Sequence, residues 1–328
     1  MSSHSTTKSV LICDHLSAQA TSRLASSAQV KLQKAQHLKP SATELEKAQV
    51  LLIRSRTPVE AELLAQAPQL ELVITATSGF DHIDLKACQA RGVKVGYTPE
   101  ANVHSVAELT FSLMIQLLRH LPQSARAMAQ GRWRDSLPRG SLLRGQELGI
   151  IGLGRIGSQV ARLGQAFGLK LWAYDPYVDN EHFIKLGVER LGLTELLRQA
   201  DIVTLHVPYT KETHHLINRP TLETINPEAY LLNTSRGKMV DENELVEALD
   251  KGRLKGVALD VFAKEPLPKD SRLRGFDRVI LTPHLGAYSQ EAFEQASLEA
   301  AQNLLSYLET GELASALPGS APWAQGLL

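Results

Sequence analysis

Residues 148–167 read LGIIGLGRIGSQVARLGQAF, and the fold turns on how they are parsed. An apolar run, Leu148–Ile151, suits a buried strand, and SQVARLGQAF spaces its apolar residues as a helix does. Between the two, Gly152, Gly154 and Gly157 spell GLGRIG. The first glycine permits a tight turn, the second lets backbone approach a pyrophosphate, and the third lets helix and strand pack closely. N–H groups at the helix N-terminus then face negative charge. Eighteen residues beyond Gly157, the strand pattern LKLWAYD ends in Asp175. A carboxylate there accepts hydrogen bonds from an adenosine ribose and repels a 2′-phosphate, so NAD is expected over NADP. Taken alone, these are turn glycines and a surface acid; strand, helix and acid together at these spacings argue for a dinucleotide loop.

Upstream, short Val- and Ile-rich runs alternate with helical patterns. Val10–Cys13, Val30–Leu32, Val50–Ile53, Leu70–Thr75 and Val93–Tyr97 read as strands, with helices over Ala18–Ser26, Thr43–Lys47, Val59–Ala67 and Leu85–Arg91. Asn102 to Leu121 reads as one long helix that leaves this first lobe and stops at Pro122. Downstream, Leu148–Ile151, Leu169–Tyr174, Ile202–His206, Tyr230–Thr234, Gly256–Val261 and Val279–Thr282 form a second series of strands, and residues 288–310 form a last amphipathic helix. The expectation is α/β, with two doubly wound parallel-sheet domains.

The 328 residues exceed one typical domain, and the 43% hydrophobic and 21% charged fractions are those of a globular chain. Lys plus Arg and Asp plus Glu both total 35, and no basic stripe with interleaved aromatics is present, so no nucleic-acid partner is expected. Cys13 and Cys88 are the only cysteines, which speaks against a disulfide framework or a metal site and for a reducing compartment. Without a secretion signal or a ~20-residue apolar run, a cytoplasmic protein with no membrane contact is expected. The uncharged end, Leu313–Leu328, with Pro318, Gly319, Pro322 and Gly326, reads as a loose tail.

Three strands of the second series end in residues with chemistry to offer: TSRG at Thr234–Gly237, AKEP at Ala263–Pro266 and TPHLG at Thr282–Gly286. Oxidising a hydroxyl beside a carboxylate needs a base for the hydroxyl proton, a cation for the substrate oxygens and a hydride acceptor. His284, Arg236 and a nicotinamide can fill those roles. Glu265 can bond the other imidazole nitrogen, fixing its tautomer and favouring its protonated form. Any one of the three could be structural or a surface residue; their combination after a nucleotide motif points to catalysis.

With these residues in view, the chain resembles the NAD-dependent D-isomer-specific 2-hydroxyacid dehydrogenases from IRSRT at Ile53 to HLGAYSQEA ending at Ala292. The motifs GLGRIG, HVP at His206–Pro208, NTSRGKMVDENEL at Asn233–Leu245, ALDVFAKEPLP at Ala258–Pro268 and LTPHLG at Leu281–Gly286 stand in that family's order. The resemblance implies a Rossmann nucleotide domain, residues 100–287, inserted in a flavodoxin-like substrate domain built from 1–99 and 288–328, with the active site in a cleft that closes. It assigns substrate binding to Arg236, acid–base catalysis to His284 and the partner role to Glu265. It implies further cofactor contacts at Arg155, Ile156, His206, Val207, Thr234, Ser235, Asp260 and Gly286. In TSGFDHID it implies that the N–H groups of Ser78 and Gly79 hold the substrate carboxylate. Asn102 falls in the hinge pattern and could equally cap a helix. A homodimer paired through the nucleotide domains is implied.

Within that family the chain looks most like short-type 3-phosphoglycerate dehydrogenases, which lack an appended regulatory module, so serine feedback is not expected. Arg54 matches a phosphate-binding arginine of those enzymes, and Arg134 lies at or beside another. Two converging guanidinium groups would suit a phosphate dianion, but solvated surface charge remains an alternative for both. Hydroxypyruvate or glyoxylate reduction would use the same catalytic residues. Formate oxidation is disfavoured because Glu265 stands where the family's formate enzymes carry glutamine. An NAD-sensing corepressor is the reading from a different class.

Overall fold

The computed structural model describes residues 7–37, 39–317 and 324. Among them the strands are β1 Lys8–Ile12, β2 Val30–Lys34, β3 Val50–Ile53, β4 Leu72–Thr75, β5 Lys94–Gly96, β6 Glu147–Ile151, β7 Lys170–Tyr174, β8 Glu189–Arg190, β9 Ile202–Leu205, β10 Tyr230–Asn233, β11 Gly256–Leu259, β12 Val279–Leu281 and β13 Ala316–Leu317. The chain divides into two compact units, an outer one of Met1–Asn102 with Tyr288–Leu328 and an inserted one of Val103–Ala287.

The outer unit's sheet runs β13-β5-β4-β3-β1-β2, parallel except for β13. Its parallel strands have the flavodoxin-like order, with the switch point between β1 and β3. The inserted unit's sheet runs β12-β11-β10-β9-β6-β7-β8 and is parallel throughout. Its order reverses between β6 and β9, as in a Rossmann fold.

Helices cover both faces of a parallel sheet, so its central strands must be apolar on both sides. Every residue of β3, β4, β9, β10 and β11 is buried. Neighbouring side chains enter opposite cores: Leu148 and Ile150 one, Ile151 the other. In the outer unit, helix Gln290–Thr310 buries Ala296, Ala300, Ala301 and Leu304 against Val10, Ile12 and Leu24. Alanines let the helix approach closely, and each fully buried leucine contributes about 1.5–3 kcal/mol.

Three local expectations are corrected. The helix expected over Asn102–Leu121 is Val103–Leu118; His120 turns left-handed at φ 51, and a second helix runs Leu121–Ala129. Pro122 lies in the first turn of that second helix, where its missing N–H is no loss. Strand β8 was not anticipated, because Glu189 and Arg190 are exposed and carry no apolar pattern. Within the expected loose tail, Ala316 and Leu317 pair antiparallel with Gly96 and Val95. Pro318, Gly319, Pro322 and Gly326 lie outside the described residues.

Candidate active site

The loop after β6 is built by three different demands on glycine. Gly152 adopts φ +94, and a Cβ there would lie 2.7 Å from Val207 Cγ1 and 2.8 Å from the His206 carbonyl. At Gly157 a Cβ would stand 2.0 Å from the Gly152 oxygen, whereas at Gly154 it would meet nothing within 4 Å. Helix Arg155–Ala166, with Arg155 and Ile156 in its first turn, begins without a side-chain cap.

Asp175 directly follows β7 as a buried residue, and its carboxylate braces this loop: Oδ2 accepts from Leu153 N at 2.8 Å and Oδ1 from Tyr177 N at 2.9 Å. Arg190 donates to the Asp175 carbonyl at 3.1 Å, a neighbour the sequence did not reveal. Across the switch point, His206 Nε2 pairs with Thr204 Oγ1 at 3.0 Å, while Nδ1 is buried without a partner. Burial pushes the imidazole pKa down to about 3, so this histidine is neutral. Ser235 Oγ donates to the Val207 carbonyl at 2.6 Å. Thr234 pairs with Thr110 at 3.1 Å. The open side at Gly154, the uncapped helix and the orphaned His206 nitrogen suit a dinucleotide.

Beyond β10, β11 and β12 on the same edge lie Arg236, Glu265 and His284. His284 Nδ1 and Glu265 Oε2 are 2.7 Å apart, and Glu265 Oε1 accepts from Phe262 N at 3.0 Å. The hydrogen bond to Glu265 raises the His284 pKa against partial burial and against the Arg236 charge. Burial alone would raise the Glu265 pKa; its bonds to His284 and Phe262 outweigh that and lower it. Arg236 donates from Nη1 to the Ser235 carbonyl at 2.7 Å, and Asn233 holds the Arg236 carbonyl at 2.9 Å.

His284 itself sits at φ 56, in the left-handed region. Asp260, fully buried, holds that turn: its carboxylate accepts from Thr282 Oγ1 at 2.6 Å and from Leu285 N and Gly286 N at 2.8 Å each. Its carbonyl also accepts from His284 N at 2.8 Å. Sequence reading had only a cofactor contact for Asp260, since nothing local announces three converging donors.

The outer unit carries a second group at the carboxyl ends of its strands. Arg54 follows β3 at the switch point; its N–H donates to Asp14 Oδ2 at 2.5 Å, and its guanidinium lies 4.9 Å from the Phe293 ring centroid. Burial lowers the Arg54 pKa despite Asp14, and Nη1 is buried without a hydrogen-bond partner. Ser78 and Gly79 follow β4, and Ser78 Oγ is likewise buried and unpartnered. So is Asn102 Oδ1, which therefore does not serve as a helix cap. Arg134 belongs to the inserted unit, where it is exposed in the 3-10 turn Arg134–Ser136. Among the described residues no group of three or more His, Cys, Asp or Glu side chains could hold a metal, and no helix is long and apolar enough to cross a membrane.

Residues 111–286 match the family described as D-isomer specific 2-hydroxyacid dehydrogenase, NAD binding domain. A D-3-phosphoglycerate dehydrogenase of Methanocaldococcus jannaschii is 40% identical over 83% of this chain and 52% of its own length. The chain spans about half the length of such curated relatives. Among solved structures, D-lactate dehydrogenase from Aquifex aeolicus, complexed with NAD and lactic acid, is 31% identical, with a TM-score of 0.82 over 95% of this chain and 100% of that one. A glyoxylate reductase from Paecilomyes thermophila is 27% identical, with a TM-score of 0.86 over 95% and 98%. With the match filling most of the inserted unit and identity of this order covering more than four-fifths of the chain, the protein belongs to the D-isomer specific 2-hydroxyacid dehydrogenase family, and its inserted unit is that family's NAD-binding domain.

Proposed function

We propose that the protein interconverts a 2-oxo acid and the D-2-hydroxy acid, and that the 2.7 Å pairing of His284 with Glu265 is the observation that carries this reading. Gly152, Gly154, Gly157 and the N-terminus of helix Arg155–Ala166 would hold NAD(H), which would supply the hydride chemistry. His284 gives its proton to the carbonyl oxygen during reduction and takes it back during oxidation, while Glu265 keeps the imidazole in the tautomer that presents Nε2. Arg236 binds the substrate and polarises its carbonyl. The Ser78 and Gly79 N–H groups receive the carboxylate, and Asp175 gives the preference for NAD over NADP.

For the substrate we propose 3-phosphoglycerate and phosphohydroxypyruvate, with Arg54 and Arg134 on the phosphate. Curated relatives with that activity support this, as does the unpartnered Arg54 nitrogen, because a buried donor left unmade is costly. A second reading, hydroxypyruvate or glyoxylate reduction, is favoured by Asp14: its carboxylate holds the Arg54 N–H and would repel a nearby dianion. NADH consumption measured with phosphohydroxypyruvate and with hydroxypyruvate separates the two, since only the phosphate differs. We expect kcat/KM to favour the phosphorylated acid by ~100-fold, or ~2.7 kcal/mol; the opposite preference would establish the second reading.

We also propose a homodimer formed through the inserted unit. Leu121, Met128, Trp133 and Leu142 are 45, 56, 64 and 68% exposed within one segment of it, and large apolar side chains left exposed would gain from burial against a second copy.

A further inference from the structure

The turn after β4 is held through several of its carbonyls, while the two N–H groups proposed to meet the substrate carboxylate make no bond within the chain among the described residues. Thr98 N donates to the Thr77 carbonyl, Ile83 N to that of Phe80, and Val59 N to that of His82. Among the described residues, neither the Ser78 nor the Gly79 N–H donates a hydrogen bond within the chain. What holds this stretch is a chain of side chains. Thr77 Oγ1 donates to the Gly79 carbonyl at 2.6 Å, Thr75 Oγ1 lies 2.6 Å from Thr77 Oγ1, and His82 Nε2 lies 3.1 Å from Thr75 Oγ1.

Proton counting gives this chain one direction. A carbonyl only accepts, so Thr77 spends its single hydroxyl proton on Gly79. Thr75 must then donate to Thr77, and having spent its own proton it can only accept from His82 Nε2–H. The chain is anchored in β4, where Thr75 is fully buried, and it ends on the carbonyl of Gly79, the residue of the turn with the widest backbone freedom.

We propose that Thr75, Thr77 and His82 are positioning residues for the substrate carboxylate: the chain keeps the Gly79 carbonyl turned onto Thr77, so the two N–H donors of the turn are ordered before the anion arrives. Ordering that is complete beforehand does not have to be supplied by the ligand. Without the tie, the Gly79–Phe80 peptide can rotate and bring the Gly79 carbonyl toward the carboxylate, and the Thr77–Gly79 loop that carries the two N–H donors is no longer closed. This rests on the reading of the turn given under the proposed function.

The test uses whichever of hydroxypyruvate and phosphohydroxypyruvate the wild-type protein reduces with NADH. Thr77→Val keeps the shape and removes the hydroxyl; we expect the KM for the oxo acid to rise ~10-fold, with kcat falling less and the KM for NADH unchanged. Thr77→Ser restores the donor and should return the KM to within ~3-fold of wild type. Thr75→Val interrupts the chain one step earlier and carries the same expectation should Thr77→Val fail to fold. An unchanged oxo-acid KM in folded valine variants, a parallel rise in both KM values, or no rescue by serine overturns the proposal while leaving the dehydrogenase reading intact. A wild-type protein that reduces neither acid overturns both.

Discussion

A histidine at φ 56 is in a region that non-glycine residues seldom occupy, at a cost of order 1–3 kcal/mol. At His284 the Asp260 carboxylate offsets it, taking two backbone N–H groups and a hydroxyl in the turn that follows β12. Arg236, Glu265 and His284 could be picked out from sequence because each is a chemistry-bearing type just beyond an apolar strand. The Asp260 clamp could not, because the donors that meet it are 22 to 26 residues away. The Glu265–His284 pair sets a pH dependence. Glu265 raises the His284 pKa, so the imidazolium persists to higher pH than in a free histidine, and reduction falls as pH rises through that raised value. Glu265→Gln removes the largest influence raising the His284 pKa and leaves burial and the Arg236 charge opposed only by Asp260, so the kcat profile for reduction should fall at lower pH than in wild type. An unmoved profile would remove Glu265 from the reaction. In the stability of the fold, the same pair is strongest between the two pKa values: its contribution is lost as pH falls through the lowered Glu265 pKa or rises through the raised His284 pKa.

At the scale of the strand–loop–helix element, GLGRIG was legible because its context is local and continuous. The structure separates the duties of its glycines. Gly157→Ala would drive a methyl into the Gly152 carbonyl, which cannot move cheaply, so we expect a loss of about 1–3 kcal/mol, seen as a lowered Tm. Gly154→Ala has φ −73 and open space, so the fold should stay within ~0.5 kcal/mol of wild type. Its methyl would stand on the open side of the loop, and NADH binding followed by fluorescence should weaken ~10-fold or more, that is by ~1.4 kcal/mol. Unaltered NADH affinity in Gly154→Ala would place the dinucleotide elsewhere. The break at His120 was not legible, because the apolar spacing of QLLRHL continues through it and Pro122 reads equally as a stop or a start.

At the scale of the molecule, the exposed apolar segment 121–142 belongs to the oligomer question. Trp133→Glu combined with Leu142→Glu should yield monomers by sedimentation at micromolar concentration if that face pairs two copies, with the Tm of the monomer little changed. A wild-type monomer at that concentration would remove the dimer. Both sheets were legible in their alternation of apolar runs and helical patterns, since buried parallel strands must be apolar on both faces. Hydrophobic period, glycine and proline punctuation, and residue type at strand ends are properties of a few consecutive residues, so they survive in the linear chain. Strand order, the edge strands β8 and β13 and the Asp260 clamp are different in kind. Each joins groups whose local sequence carries no sign of the partner, and pairing across that distance is selected by the packing of the whole unit, where a satisfied buried polar group is favoured over an orphaned one.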